Sequence, residues 1–223
     1  MPSTQAEPKG DASHRLALHA VGPAMQADKE VVLWTLCRGA RYLENITDHI
    51  AECLFEDEDI IMALVEADYE HFELASLALR SDRRFVLSVV HICGLVLRFV
   101  ADILRSDIEV VRIAVLQNRD SMQYASASLR SHKAFVAELV AVQGMTLQFV
   151  DTSLLEDPEI VLLAVRHDPD AFQFAGPGLR SDPVFIFDAV RRNRSVLQLI
   201  CPLLQGEVQA LADGDHSVIL SEQ

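Results

Sequence analysis

The sequence predicts an all-α fold: an α-solenoid of 25-residue repeats, about seven units long, with a half-repeat cap at each end. Three observations predict it. From Asp57 to Gly206 the chain divides without insertion into six units of 25 residues, beginning at Asp57, Asp82, Asp107, His132, Asp157 and Asp182. Within each unit the fourth, fifth, eighth and ninth places are apolar, which at about 100° per residue covers a ~140° arc of one helix face. The opening residue is usually Asp, often after Ser (Ser81, Ser106, Ser181), and its side-chain oxygen suits a helix N-cap.

Residues 1–15, "MPSTQAEPKGDASHR", read as a flexible tail without the apolar run of a secretory signal. Residues 16–27 contain "ALHAVGPAMQA", the counterpart of "AFQFAGPGLRS" later in the chain, and so form a half-repeat cap. A variant repeat follows at 28–56, with four extra residues around "TDHIAE". The six regular units fill 57–206. Their first halves, such as Val110-Val111 with Ala114-Val115, predict helices of about ten residues, and Pro158 and Pro183 sit where a missing N–H costs nothing. Gly94, Gly144 and Pro169 break these helices. A second apolar group at places 16, 18 and 19 (Met122-Tyr124-Ala125, Leu147-Phe149-Val150, Phe172-Phe174-Ala175) and an invariant Leu at place 23 predict a short helix and a turn. Val111, Val115, Tyr124 and Leu129 are therefore expected in the core and Arg112 on the outer arc. Residues 207–212 read as a partial cap and 213–223 as a tail. Neither half of a unit buries its apolar face alone, so each copy is the wall against which the next one packs.

The stretches "LRSDIEVVRIAVLQNRDSMQYASASLRSH" and "LLEDPEIVLLAVRHDPDAFQFAGPGLRSD" resemble the repeat of the domain-of-unknown-function 4116 family, over about residues 28–206. The family's usual domain corresponds to about two units, and members usually carry it in tandem. The resemblance implies helical repeats. It implies no activity and no catalytic residue.

The balance of 19 Lys+Arg against 33 Asp+Glu gives a net charge of −14, which repels phosphate backbones and anionic membranes. No nucleic-acid partner is expected. "FVLSVVHICGLVLRFV" (85–100) is too short for a membrane span and carries His91 and Arg98. Cys37, Cys53, Cys93 and Cys201 show no metal or disulfide spacing and read as reduced, buried thiols of a cytoplasmic or other reducing compartment. "AGPGLRS" (175–181) lacks the spacing of a phosphate loop. His49 and Cys53, four apart, lack the further ligands of a metal site, and "FEDEDII" (55–61) reads as an acidic helix start. Catalytic, metal and cofactor residues are accordingly expected to be none.

Two columns remain. Place 24 holds Arg80, Arg105, Arg130 and Arg180, expected to pack over a neighbour and pair with a boundary Asp. Place 17 holds Gln123, Gln148, Gln173 and Gln198, expected as a ladder bonding the next unit's backbone, with a groove lining as the alternative. The carboxylates Glu56, Asp57, Glu58, Asp59, Glu66, Asp68 and Glu70 crowd one end of the array and would take a partner with a basic surface. Met62, Leu87, Leu162, Leu163 and Phe187 fall at outward places and would form an apolar outer face. These features read as a non-catalytic protein-interaction scaffold or assembly subunit. The alternatives are a nucleic-acid-binding helical repeat or, further off, an enzyme or metal protein.

Overall fold

The computed structural model describes residues 22–37, 46–200, 205–206 and 208. The expected tails, residues 16–21 of the N-terminal cap, all of the C-terminal cap but Val208, Cys201 and Leu204 lie outside them. The chain forms two compact units, Met1–Leu79 and Arg80–Gln223. Among the described residues every element is helical, as an α-solenoid requires.

Among the described residues seven long helices open the repeats: α1 Lys29–Cys37 and α2 Glu58–Ala67 in the first unit, and α3 Arg83–Ile92, α4 Ile108–Gln117, α5 Lys133–Val140, α6 Pro158–His167 and α7 Pro183–Arg192 in the second. Their starts are capped as the sequence predicts. Asp107 accepts from the amides of Glu109 and Val110, and Asp57, Asp82 and Asp157 repeat the bond one unit after another. His132 does the same with a ring nitrogen, Nδ1 accepting from the Phe135 amide at 3.1 Å. In the six regular units the four apolar places are buried except at Val190, and in the variant repeat Val31 is half-buried. In the second unit α3 packs on α4, α4 on α5, α5 on α6 and α6 on α7, and in the first α1 packs on α2.

The second half of each repeat is a 3₁₀ turn, as at Arg119–Tyr124 and Gly144–Phe149, followed by a short helical piece such as Ala127–Arg130. The tighter winding changes which places are covered. Place 16 and place 23 are buried through most of the array, Leu129 to 5 % exposure. Place 18 is not: Tyr124 is only half-buried, while the unpredicted place 15 is sealed at Val96, Ser121, Thr146, Ala171 and Val196.

A main-chain ladder runs beside the side-chain packing. The place-20 amide donates to the place-24 carbonyl of the preceding repeat: Ser76 to Phe55 (3.0 Å) in the first unit, and Ala101 to Arg80 (3.0 Å), Ser126 to Arg105 (2.9 Å), Asp151 to Arg130 (3.0 Å) and Gly176 to Leu155 (2.8 Å) in the second. The variant repeat closes the same rung from Ala51 to Gln26 at 3.1 Å. Its four extra residues therefore lie between these two positions, and the stacking geometry resumes after them.

Candidate functional site

The surface is set by what the seams between repeats consume. At alternate seams one cation bridges two acids of the next repeat. Lys29 Nζ lies 2.8 Å from Asp57 and 2.6 Å from Asp59. Arg83 Nε lies 2.8 Å from Asp107 while its other arm meets Glu109, and Lys133 Nζ lies 2.7 Å from Asp157 and 2.8 Å from Glu159. The hydrogen bonds from Arg83 and Lys133 hold the Asp107 and Asp157 carboxyls below the usual carboxylate range.

Two of these seams share a second device. The Gly94 amide donates to Gln117 Oε1 at 2.7 Å, and Gln117 Nε2 donates to the Ile92 carbonyl at 3.0 Å. Fifty residues on, the Gly144 amide donates to His167 Nδ1 at 3.2 Å. Any side chain at Gly94 or Gly144 would overlap the carbonyl oxygen of Ala114 or Ala164 on the following helix. The repeats thus go in pairs, 82–131 and 132–181, each locked internally by a place-2 cation and a place-13 glycine. The last repeat departs from this pattern, with Pro183 and Arg194 at those places.

The expected Gln ladder is not at place 17. Gln123 bonds the Asp120 carbonyl of its own repeat at 2.9 Å, and Gln148, Gln173 and Gln198 make no inter-repeat hydrogen bond among the described residues. The ladder lies at places 11 and 12: Gln117 at place 11 reaches the Ile92 carbonyl, and at place 12 Gln143 Nε2 reaches the Leu116 carbonyl (3.0 Å) and Asn193 Nδ2 the Val165 carbonyl (3.3 Å). Place 17 does not carry the ladder because its segment winds as a 3₁₀ turn, which faces its side chains differently from an α-helix. The place-24 arginines also differ from expectation. Arg105 Nε donates to the Val100 carbonyl (2.9 Å), another of its arms to the Arg98 carbonyl (2.6 Å), and it meets Asp102 rather than a boundary Asp. Gln205 repeats this role, donating to the Leu197 and Ile200 carbonyls. Arg180 is exposed, and Arg80 and Arg130 are half-buried.

Of the acidic group, Asp57 and Asp59 are engaged by Lys29, and Asp68 caps the turn after α2 by accepting from the Glu70 amide. Glu56, Glu66 and Glu70 are exposed, and Glu58 is half-buried. The apolar outer face is more covered than expected: Leu162 is buried at 7 % exposure, and Met62, Leu87, Leu163 and Phe187 are half-buried. Arg112, placed on the outer arc, is half-buried and pairs with Glu138 at 3.0 Å. Places 3 and 10 are exposed in every repeat, although seam cations engage several of the place-3 acids. Exposed apolar residues that the sequence reading missed gather where α3, α4 and α5 end: Ile92 at 39 %, Leu116 at 43 % and Val142 at 53 %. Gln117 reaching Ile92 and Gln143 reaching Leu116 bring these ends side by side.

His49 and Cys53 lie in separate 3₁₀ turns, and among the described residues no three His, Cys, Asp or Glu gather as a metal group. The Gly176–Gly178 stretch faces the Glu156 carboxylate, so the place a phosphate would take in a loop holds the chain's own anion. Cys37 and Cys53 are exposed and Cys93 half-buried, against the expectation of buried thiols. Among the described residues no helix is long and apolar enough to cross a membrane.

The model of a domain of unknown function, DUF4116, matches residues 57–100, 82–130, 132–180 and 157–205. The chain belongs to the DUF4116 family. Each match spans about two repeats, the length over which the DUF4116 chain locks its seams. No curated protein and no solved structure matches it.

Proposed function

We propose that this DUF4116 chain is a non-catalytic protein-interaction scaffold or assembly subunit. The observation that carries the reading is the row Ile92, Leu116 and Val142, exposed at the ends of three consecutive helices whose places 4, 5, 8 and 9 are buried. The helix cores do not need these side chains, and a surface that keeps them adjacent favours an apolar partner. The exposed Glu56 and Glu66 add a salt-dependent contribution for a partner with a basic surface.

The test captures partners of the tagged full chain from its own cells, then repeats the capture with I92S/L116S/V142S. The reading predicts loss of specific partners with no fall in melting temperature, because the three side chains leave the core intact. Recovery of the same proteins in the same amounts by a folded triple variant would remove this row from the mechanism. In a second arm, E56K/E66K is expected to weaken capture at low salt and to match wild type at high salt.

A further inference from the structure

Two open hollows adjoin where α5, α6 and α7 end. One is lined by Leu163, Arg166 and Arg192, the other by Ala141, Leu163, Arg166 and His167. Arg166 and Arg192 are exposed, and neither pairs with a carboxylate among the described residues. Arg80, Arg180 and Arg194 pair with no carboxylate among the described residues either, but Arg166 and Arg192 share one hollow of the chain with Leu163. The chain's acids outnumber its cations by 33 to 19, and Lys29, Arg83, Arg112 and Lys133 are all drawn onto acids at the seams. Two guanidinium groups beside a half-buried leucine fit a protein surface that brings carboxylates with aliphatic stems, since each planar fork can take a carboxylate with two parallel bonds.

The chain itself carries such a surface. Glu66, Asp68 and Glu70 are exposed within five residues, at the end of α2 and in the turn that follows. We infer that the Arg166–Arg192 edge of one molecule docks on the Glu66–Glu70 turn of a second copy. This rests on the assembly-subunit reading and names the basic partner of the acidic end as the chain itself. Both halves are present on every molecule, so the contact requires no other component. It closes into a dimer or ring, or continues, according to the rotation between copies.

The full chain is studied by sedimentation over a wide concentration range, at about 0.05 and 0.5 M salt, where screening differs strongly. The expected result is a mass that rises with concentration at low salt, from 24.8 kDa to twice that value or beyond, and falls back at high salt. R166E/R192E alone and E66K/E70K alone should each remain single chains, and mixing them in equal amounts should restore association. Melting curves establish that both are folded. Should either fail to fold, R166Q/R192Q and E66Q/E70Q replace them, with association weakened at least ~10-fold as charge pairing is lost. A wild-type chain that stays single at low salt, or association unchanged in R166E/R192E, would overturn the contact. Either result leaves the scaffold reading to stand or fall on the Ile92, Leu116 and Val142 variant. Association by R166E/R192E with an unrelated acidic protein but not with its own kind counts against it equally.

Discussion

Gly94 and Gly144 carry a constraint that composition hides. Each lies where the following helix passes too closely for a side chain, so Gly94→Ala and Gly144→Ala should each cost about 1–3 kcal/mol as overpacking. Gly22 has nothing within 4 Å of a would-be Cβ, and Gly22→Ala should stay within roughly 0.5 kcal/mol of wild type in the same urea titration. Leu129, 5 % exposed, should cost about 2–5 kcal/mol when truncated to Ala. Arg112→Ala, losing only its partly exposed pair with Glu138, should cost no more than about 1 kcal/mol. Ser121 is fully buried, and its hydroxyl has no hydrogen-bond partner among the described residues. Ser121→Ala should therefore leave the protein at least as stable as wild type, because it removes a buried polar atom that bonds to nothing. The sequence made Leu129 legible through its recurrence. Ser121 and Thr146 stayed hidden because a polar residue in a sealed 3₁₀ place carries no apolar signal.

At the scale of helices the capping pattern was readable, and the use of the caps in the seams was not. Asp107 both caps α4 and receives Arg83 from α3, and the sequence displays only the first role, since a contact 24 residues away follows no helical period. The double role has a pH signature. The Arg83 hydrogen bond holds the folded-state pKa of Asp107 below that of the unfolded chain, about 3.9. The stability this supplies is fully present above the unfolded value and is lost as pH falls through the folded one. Asp107→Asn keeps a capping side chain and removes the charge. Thermal melts should show wild type above the variant near neutrality, and the gap should close as pH falls below the unfolded carboxylate range. A gap that persists unchanged at the acid end would mean that the cap, rather than the ion pair, carries the effect. The place-17 glutamines show the complementary case: α-helical periodicity points Gln148 and Gln173 at the next repeat, but the segment is 3₁₀, and Gln143 and His167 make the seam bonds instead.

For the molecule as a whole, the 25-residue period was legible because apolar columns recur at every copy. The 50-residue period was not, because it is written in four scattered positions, Arg83 with Lys133 and Gly94 with Gly144, that a search for apolar recurrence passes over. If the pair is the true repeat, removing residues 107–156 brings Arg83 against Asp157 and Glu159 and the Gly94 amide against His167, so both locks reform. Removing only residues 107–131 brings Arg83 against His132 and Ala134, and Gly94 against Val142, which accepts no hydrogen bond. The lost amide partner alone should cost about 1–3 kcal/mol. In a stacked array the longer chain is ordinarily the more stable one. The most direct measurement is therefore the melting temperature of these two deletion variants, followed by circular dichroism under identical conditions. The pairing account predicts that the shorter chain, lacking 107–156, melts higher by several degrees, at about 2–4 °C per kcal/mol for chains of this size. A longer chain, lacking only 107–131, that melts at the same temperature or above would contradict it and make the single 25-residue unit the energetic repeat.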